Sequence, residues 1–196
     1  MQRLLDCESQ LKEFVDNVFL SIDPRNEKVY ERSEFLKMDG FDAIGYARKS
    51  PAKISDDQLK KIIEDMISCL QSRSKVIDVY VSPSSYSKSP IAERDMTTDK
   101  DYTDISGCVG NTQSLLTRLS SKTKKVCLVI VDYAALSTDP DDILLLVKNY
   151  KSLEYIVVDR FQDVEKYEVY LRNYILKTPE QLTSFDFRPK LPHLSI

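Results

Sequence analysis

The sequence predicts an α/β fold, a mostly parallel sheet of four or slightly more strands with helices on both faces. Three observations lead there. From residue 41 onward, short β-rich runs alternate with amphipathic helical stretches, the order that builds parallel strands joined by right-handed crossovers. The run Val126-Cys127-Leu128-Val129-Ile130-Val131 is apolar without a break, as a strand covered on both faces must be. Ser55-Asp56-Asp57-Gln58 follows the first run and reads as a capping box that fixes where a helix starts. With 196 residues, 42% hydrophobic and 30% charged, the chain can bury one real core.

Residues 2–20 place Leu4, Leu5, Leu11, Phe14, Val15, Val18 and Phe19 at three- and four-residue intervals, the stripe of a helix that needs something to cover. Asp23-Pro24-Arg25-Asn26 stops it. A charged connector runs on to Gly40, with Val29, Tyr30, Phe35 and Leu36 expected to touch the body. Residues 1–40 are therefore read as an N-terminal helix and connector, and 41–178 as the α/β domain. Its first strand is Ala43–Ala47, and the helix after Ser55 buries Leu59, Ile62, Ile63, Met66, Ile67 and Leu70. The second strand is Val76–Val81. Residues 83–110 hold Ser, Thr, Asp, Lys and Pro with few large apolar groups, which reads as a long polar insertion at the carboxyl edge of the sheet. A short helix, Thr112–Leu119, closes it. The third strand, Val126–Val131, is the expected central one. Asp139-Pro140 supplies an N-cap and a first-turn proline for a helix carrying Ile143, Leu144, Leu146 and Val147. The fourth strand is Tyr155–Val158. A last helix, about Gln162 to Lys177, would present Tyr167, Tyr170 and Tyr174 as one packed face. Residues 179–196 read as an extended tail, a candidate docking peptide.

Composition narrows the function. The formal charge is -3, without the basic field that nucleic-acid binders usually carry. The longest apolar run is about a third of the 20 or so residues that cross a bilayer. A soluble, intracellular protein, cytoplasmic or nuclear and with no membrane partner, is the expectation. Cys7, Cys69, Cys108 and Cys127 lack CxxC spacing, which favours reduced thiols. Four glycines in the whole chain leave no GxGxxG turn and no GxxxxGK[ST] phosphate cradle. The single histidine, His193, removes most triad and histidine-metal arrangements. Neither cofactor nor metal is expected.

Ligands of open parallel sheets collect at the carboxyl ends of strands. Those ends offer Arg48, Lys49 and Ser50 after the first strand, Ser82, Ser84 and Ser85 after the second, Asp132 and Tyr133 after the third, and Asp159 and Arg160 after the fourth. The strongest signal is Tyr46-Ala47-Arg48-Lys49-Ser50, where a hydroxyl stands two positions from a guanidinium that can steady charge on phosphoryl oxygens. The plain alternative is a loop in which Ser50, before Pro51, starts a turn. Lys122, Lys124 and Lys125 cluster at the opposite strand end and read as a solvated edge.

The stretch Ile44-Gly45-Tyr46-Ala47-Arg48-Lys49-Ser50 resembles the first-strand motif of the serine recombinases, the resolvase and invertase family, which reads Tyr-Ala-Arg-Val-Ser. The order of elements continues the resemblance over about residues 41–160. It implies a resolvase-like fold and a metal-free attack of Ser50 on DNA. Arg48 would be the nearest phosphate-binding arginine, Arg94 the loop arginine and Asp132 the acidic residue after strand three. Tyr46, Lys49, Tyr133 and Arg160 would line the site. The chain departs from the family after strand three, where Asp-Arg-Leu-x-Arg is replaced by Asp132-Tyr133-Ala134-Ala135-Leu136 and both arginines are missing. The family's long helix after strand four is followed by a helix-turn-helix domain, for which this sequence leaves no room. The first expectation is thus a degenerate, non-catalytic member acting as a protein-interaction or oligomerisation module, with a protein partner or a second copy. The alternatives are an active recombinase cutting DNA through Ser50 with a DNA-binding partner in trans, and a phosphate- or small-ligand-binding α/β domain.

Overall fold

The structure, a computed structural model, describes residues 29–31, 41–97, 102–121, 124–159 and 166–186. The expected helix over 2–20, most of the connector, Lys122, Arg160 and the end of the tail lie outside the described residues. In chain order the elements are β1 (Val29–Glu31), β2 (Phe41–Arg48), α1 (Asp56–Ser74), β3 (Val79–Ser82), a 3₁₀ turn (Ile91–Glu93), β4 (Cys108–Gly110), α2 (Thr112–Ser120), β5 (Lys125–Ile130), α3 (Tyr133–Leu136), α4 (Pro140–Asn149), β6 (Leu153–Val158), β7 (Lys166–Leu171), α5 (Arg172–Lys177) and a 3₁₀ segment (Pro179–Asp186).

One seven-stranded sheet has the order β1-β7-β6-β5-β2-β3-β4. The strands from β6 through β4 are mutually parallel, while β7 runs antiparallel to β6 and to β1. The α/β class with a mostly parallel sheet holds, and β5, the uninterrupted apolar run, occupies the middle position. Strand alternation sends Ile44 and Tyr46 of β2 to one face, with Leu128 and Ile130 of β5, under α2, α3, α4, α5 and the second 3₁₀ segment. Ala47, Cys127, Val129 and Val157 go to the other face, where Ile63, Ile67 and Leu70 of α1 pack. Helices going out and back on opposite faces are what right-handed crossovers in opposite directions require.

α1 begins as its sequence dictates. Ser55 Oγ accepts from Gln58 N at 3.3 Å and Gln58 Oε1 accepts from Ser55 N at 3.0 Å, the reciprocal pair of a capping box. It crosses β2 closely because Gly45 has no side chain. A Cβ there would meet Val79 Cγ2 at 3.0 Å and Leu70 Cδ1 at 3.2 Å.

Three expectations are corrected. Residues 179–186 are not extended tail: they coil into the second 3₁₀ segment because Leu182 and Phe185 bury their side chains completely in the core beside α4 and α5. The helix expected over Gln162–Lys177 is shorter in its described part: Lys166–Leu171 is β7, the helix runs over Arg172–Lys177, and residues 162–165 lie outside the described residues. In this stretch Tyr170 faces the four-helix side and Val169 the α1 side, a period of two that fits the β-rich Glu168-Val169-Tyr170-Leu171. Pairing with the edge of β6 outweighs the three- and four-residue spacing of the tyrosines. Residues 83–110 are also no free insertion. Ile91 (1% exposed), Arg94 (2%) and Ile105 (5%) are buried, and Cys108–Gly110 joins the sheet beside β3. A few apolar anchors and one buried cation suffice to fold a polar segment inward.

Candidate functional site

The strand order reverses between β2 and β5: the chain proceeds from β2 to β3 and β4 on one side, and from β5 to β6 and β7 on the other. The loops leaving the carboxyl ends of β2 and β5 therefore diverge, which opens the crevice where ligands of such sheets bind. Arg48 ends β2, and because residues alternate along a strand it projects to the same face as Tyr46.

Arg48 spans the crevice. Its Nε donates to Ala134 O at 2.9 Å, and its Nη1 donates to Ser50 Oγ at 3.1 Å and to Ser85 O. Both hydrogens of Nη1 are thereby used, and Nη2 donates to nothing among the described residues. Burial, and next the charge of Arg94, pull the Arg48 guanidinium below its ordinary value, while Tyr46 and Asp132 act in the opposite sense. It remains a cation at any ordinary pH. Ser50 is exposed, and no carboxylate or imidazole bonds its hydroxyl among the described residues. Lys49 Nζ folds back on Ser50 O at 2.8 Å. Asp132 is exposed and caps α3 by accepting from Ala134 N at 3.3 Å. The sequence-predicted group Arg48, Lys49, Ser50 and Asp132 is thus gathered at one edge.

Arg94 is placed differently from its expected role at the reacting phosphate. Its Nε donates to Ser89 O at 3.0 Å, Nη1 to Tyr46 OH at 3.3 Å and to Leu136 O, and Nη2 to Ser87 O at 3.2 Å and Ser89 O at 2.9 Å. Every N–H of the guanidinium is engaged, so in this arrangement it has none to offer a ligand. Tyr46 is fully buried beneath the edge, its hydroxyl 3.0 Å from Thr112 Oγ1. Tyr133, at the position where the resemblance implies arginine, also turns inward. Its hydroxyl donates to Glu168 and lies 3.0 Å from Tyr170 OH, and its ring meets Phe185 edge-on at 4.8 Å.

Sequence reasoning missed the carbonyls of Ser85 and Ala134 that aim Arg48, since backbone acceptors leave no trace in side-chain pattern. Ser82 and Ser85 stand among the strand ends that the sequence singles out, but the partly buried polar chain they enter below the edge was missed. Asp95, in the left-handed region at φ 58°, accepts from Ser82 Oγ at 3.0 Å, from Thr112 N at 3.0 Å and from Thr112 Oγ1. Ser82 Oγ lies 2.7 Å from Ser85 Oγ. A serine ending a buried strand and a threonine opening a helix were the available signals. Among the described residues no group of three His, Cys, Asp or Glu side chains gathers to hold a metal, and no helix is long and apolar enough to cross a membrane.

No family model and no curated protein matches the chain in sequence. Among solved structures, the chain is similar to the N-terminal catalytic domain of TP901-1 integrase. The identity is 16%, the TM-score 0.42, and the match covers 74% of this chain and 95% of that one.

Proposed function

We propose that this chain is a serine-recombinase-like domain without strand-cleaving activity that works as a binding module, engaging a protein partner or a second copy of itself. The observation that carries the reading is the guanidinium count at Ser50. Among the described residues one arginine, Arg48, reaches its hydroxyl, with Nη2 left over, whereas Arg94 is spent on protein carbonyls and a phenol. Transfer of a phosphodiester to a serine builds negative charge that each missing cation would have offset by several kcal/mol, about 3 by analogy with other electrostatic sites. Strand β7 standing where the resemblance implies a long dimerisation helix points the same way. The oligomerisation half of the reading rests on the apolar stripe of residues 2–20.

The test is a nicked DNA substrate that traps a covalent serine link. No protein-DNA adduct should form, and self-association measured by sedimentation should survive Ser50→Ala and disappear when residues 1–22 are deleted. An adduct abolished by Ser50→Ala would establish the catalytic alternative instead.

A specific observation favours a second, compatible reading. The unengaged Nη2 of Arg48 beside the exposed Ser50 hydroxyl offers donors to one phosphate-like anion. Inorganic phosphate should then raise the melting temperature of the wild type and not of Arg48→Ala. A flat wild-type titration removes this reading.

A further inference from the structure

Arg94 and Arg48 bond the same two segments. The loop after β3 gives Ser87 O and Ser89 O to Arg94 and Ser85 O to Arg48. The short helix α3 gives Leu136 O to Arg94 and Ala134 O to Arg48. The two guanidiniums are rungs of one ladder that fastens the loop and α3 to β2, Arg94 inside and Arg48 outside. β2 supplies both Arg48 itself and the Tyr46 hydroxyl that accepts from Arg94 at 3.3 Å.

α3 has four residues, too few to hold a helical turn by its own hydrogen bonds. The loop after β3 has no ladder of its own either. Ser87 O also accepts from Thr138 N at 3.1 Å and Ser137 Oγ at 3.3 Å, so loop and helix are tied at one further point. Ser85 N donates to Lys49 O at 3.0 Å, which ties the start of the loop to the end of β2, and among the described residues Arg94 alone joins loop and helix together to β2 from within. A cation at 2% exposure, bonded to no carboxylate, is costly to bury, and a neutral residue could have filled the space. What the charge and the fork geometry supply is five donors in one plane, matched to carbonyls of separate segments.

We propose that Arg94 is a positioning residue for the anion site at Ser50: by fixing the Ser85 and Ala134 carbonyls it holds the Arg48 guanidinium with Nη2 facing outward. This rests on the anion-binding reading of that edge. A freely rotating arginine would lose rotamer entropy on binding. One already bonded through Nε and Nη1 presents its remaining donors prearranged.

The experiment reads arginine side chains by nuclear magnetic resonance in the full chain. In the wild type without added anion, Arg48 should show separate, slowly exchanging Nη signals. In Arg94→Lys, which keeps the charge and loses the fork, those signals should merge while the amides of β5 stay dispersed. Inorganic phosphate should move the Arg48 signals and leave those of Arg94 in place, with affinity about tenfold weaker in Arg94→Lys, the equivalent of about 1.4 kcal/mol. Merged Arg48 signals in the wild type, or restricted ones in Arg94→Lys, would overturn the positioning role. So would Arg94 signals that follow phosphate as Arg48 does, a result that needs no variant. If phosphate moves neither arginine in the wild type, the anion reading fails, and the positioning role is still decided by the rotation of Arg48.

Discussion

Arg94 shows how one side chain can be legible in identity while its contacts are not. Its place in the polar segment after the second strand marks it as a loop arginine, but nothing in sequence spacing says that three backbone carbonyls converge on it. Replacing it with leucine leaves the Ser89 and Leu136 carbonyls without their donors, a desolvation loss of about 2–4 kcal/mol, to be read as a lower urea midpoint. Asp142 belongs to the same scale. It accepts from Ile91 N at 3.1 Å through both oxygens, and burial raises its carboxyl above the ordinary 3.8. A carboxyl raised in the folded state binds more protons folded than unfolded. Its contribution is therefore complete below the unfolded value and is lost as pH rises through the folded one. Asp142→Asn should flatten that part of the stability profile above pH 3.8, and an unchanged slope between wild type and variant would show that the carboxyl does not titrate in this way. Cys127, buried with its thiol pushed well up by desolvation, should resist thiol reagents until the chain unfolds.

At the scale of elements, local chemistry was readable where it was self-contained. The Ser55–Gln58 box, the Asp139-Pro140 start of α4 and the unbroken apolar run of β5 each carry their own instructions. Ser55→Ala should accordingly cost about 1 kcal/mol, measurable by denaturant unfolding. Gly45 is a demand made by neighbours: Val79 and Leu70 come so near that Gly45→Val should destabilise by about 1–3 kcal/mol, with α1 lifted from β2. β7 was misread because its tyrosine spacing suits a helix and its alternation suits a strand. The open edge of β6, invisible in a linear pattern, decides between them. The segment 83–110 was misread for a related reason, since a handful of buried residues among many polar ones does not register as an element. Its inward packing makes a proteolytic prediction. Native tryptic digestion should spare the bond after buried Arg94, and an early fragment ending there would contradict the fold of this segment.

For the molecule as a whole, the alternation of strands and helices revealed the class and the central strand. The seven-strand order and the two antiparallel partners came from long-range pairing. The candidate site was half readable for the same reason. Arg48 and Ser50 are two residues apart and arrive together, whereas Ser85 reaches them because β3 lies beside β2, and Asp132 and Ala134 because β5 lies on its other side. The reversal of strand order between β2 and β5 places the edge where loops part, and it gives the Ser50–Arg48 pair more meaning than its spacing does. One pairing in the sheet governs how the chain must assemble. Val29 of β1 is in register with Glu168 of β7, so the first strand has no partner until the chain has been made through β7. Bringing such distant stretches together is entropically slow. On the ribosome, the parallel strands have what they need to associate well before β1 does, and the docking of β1 follows theirs.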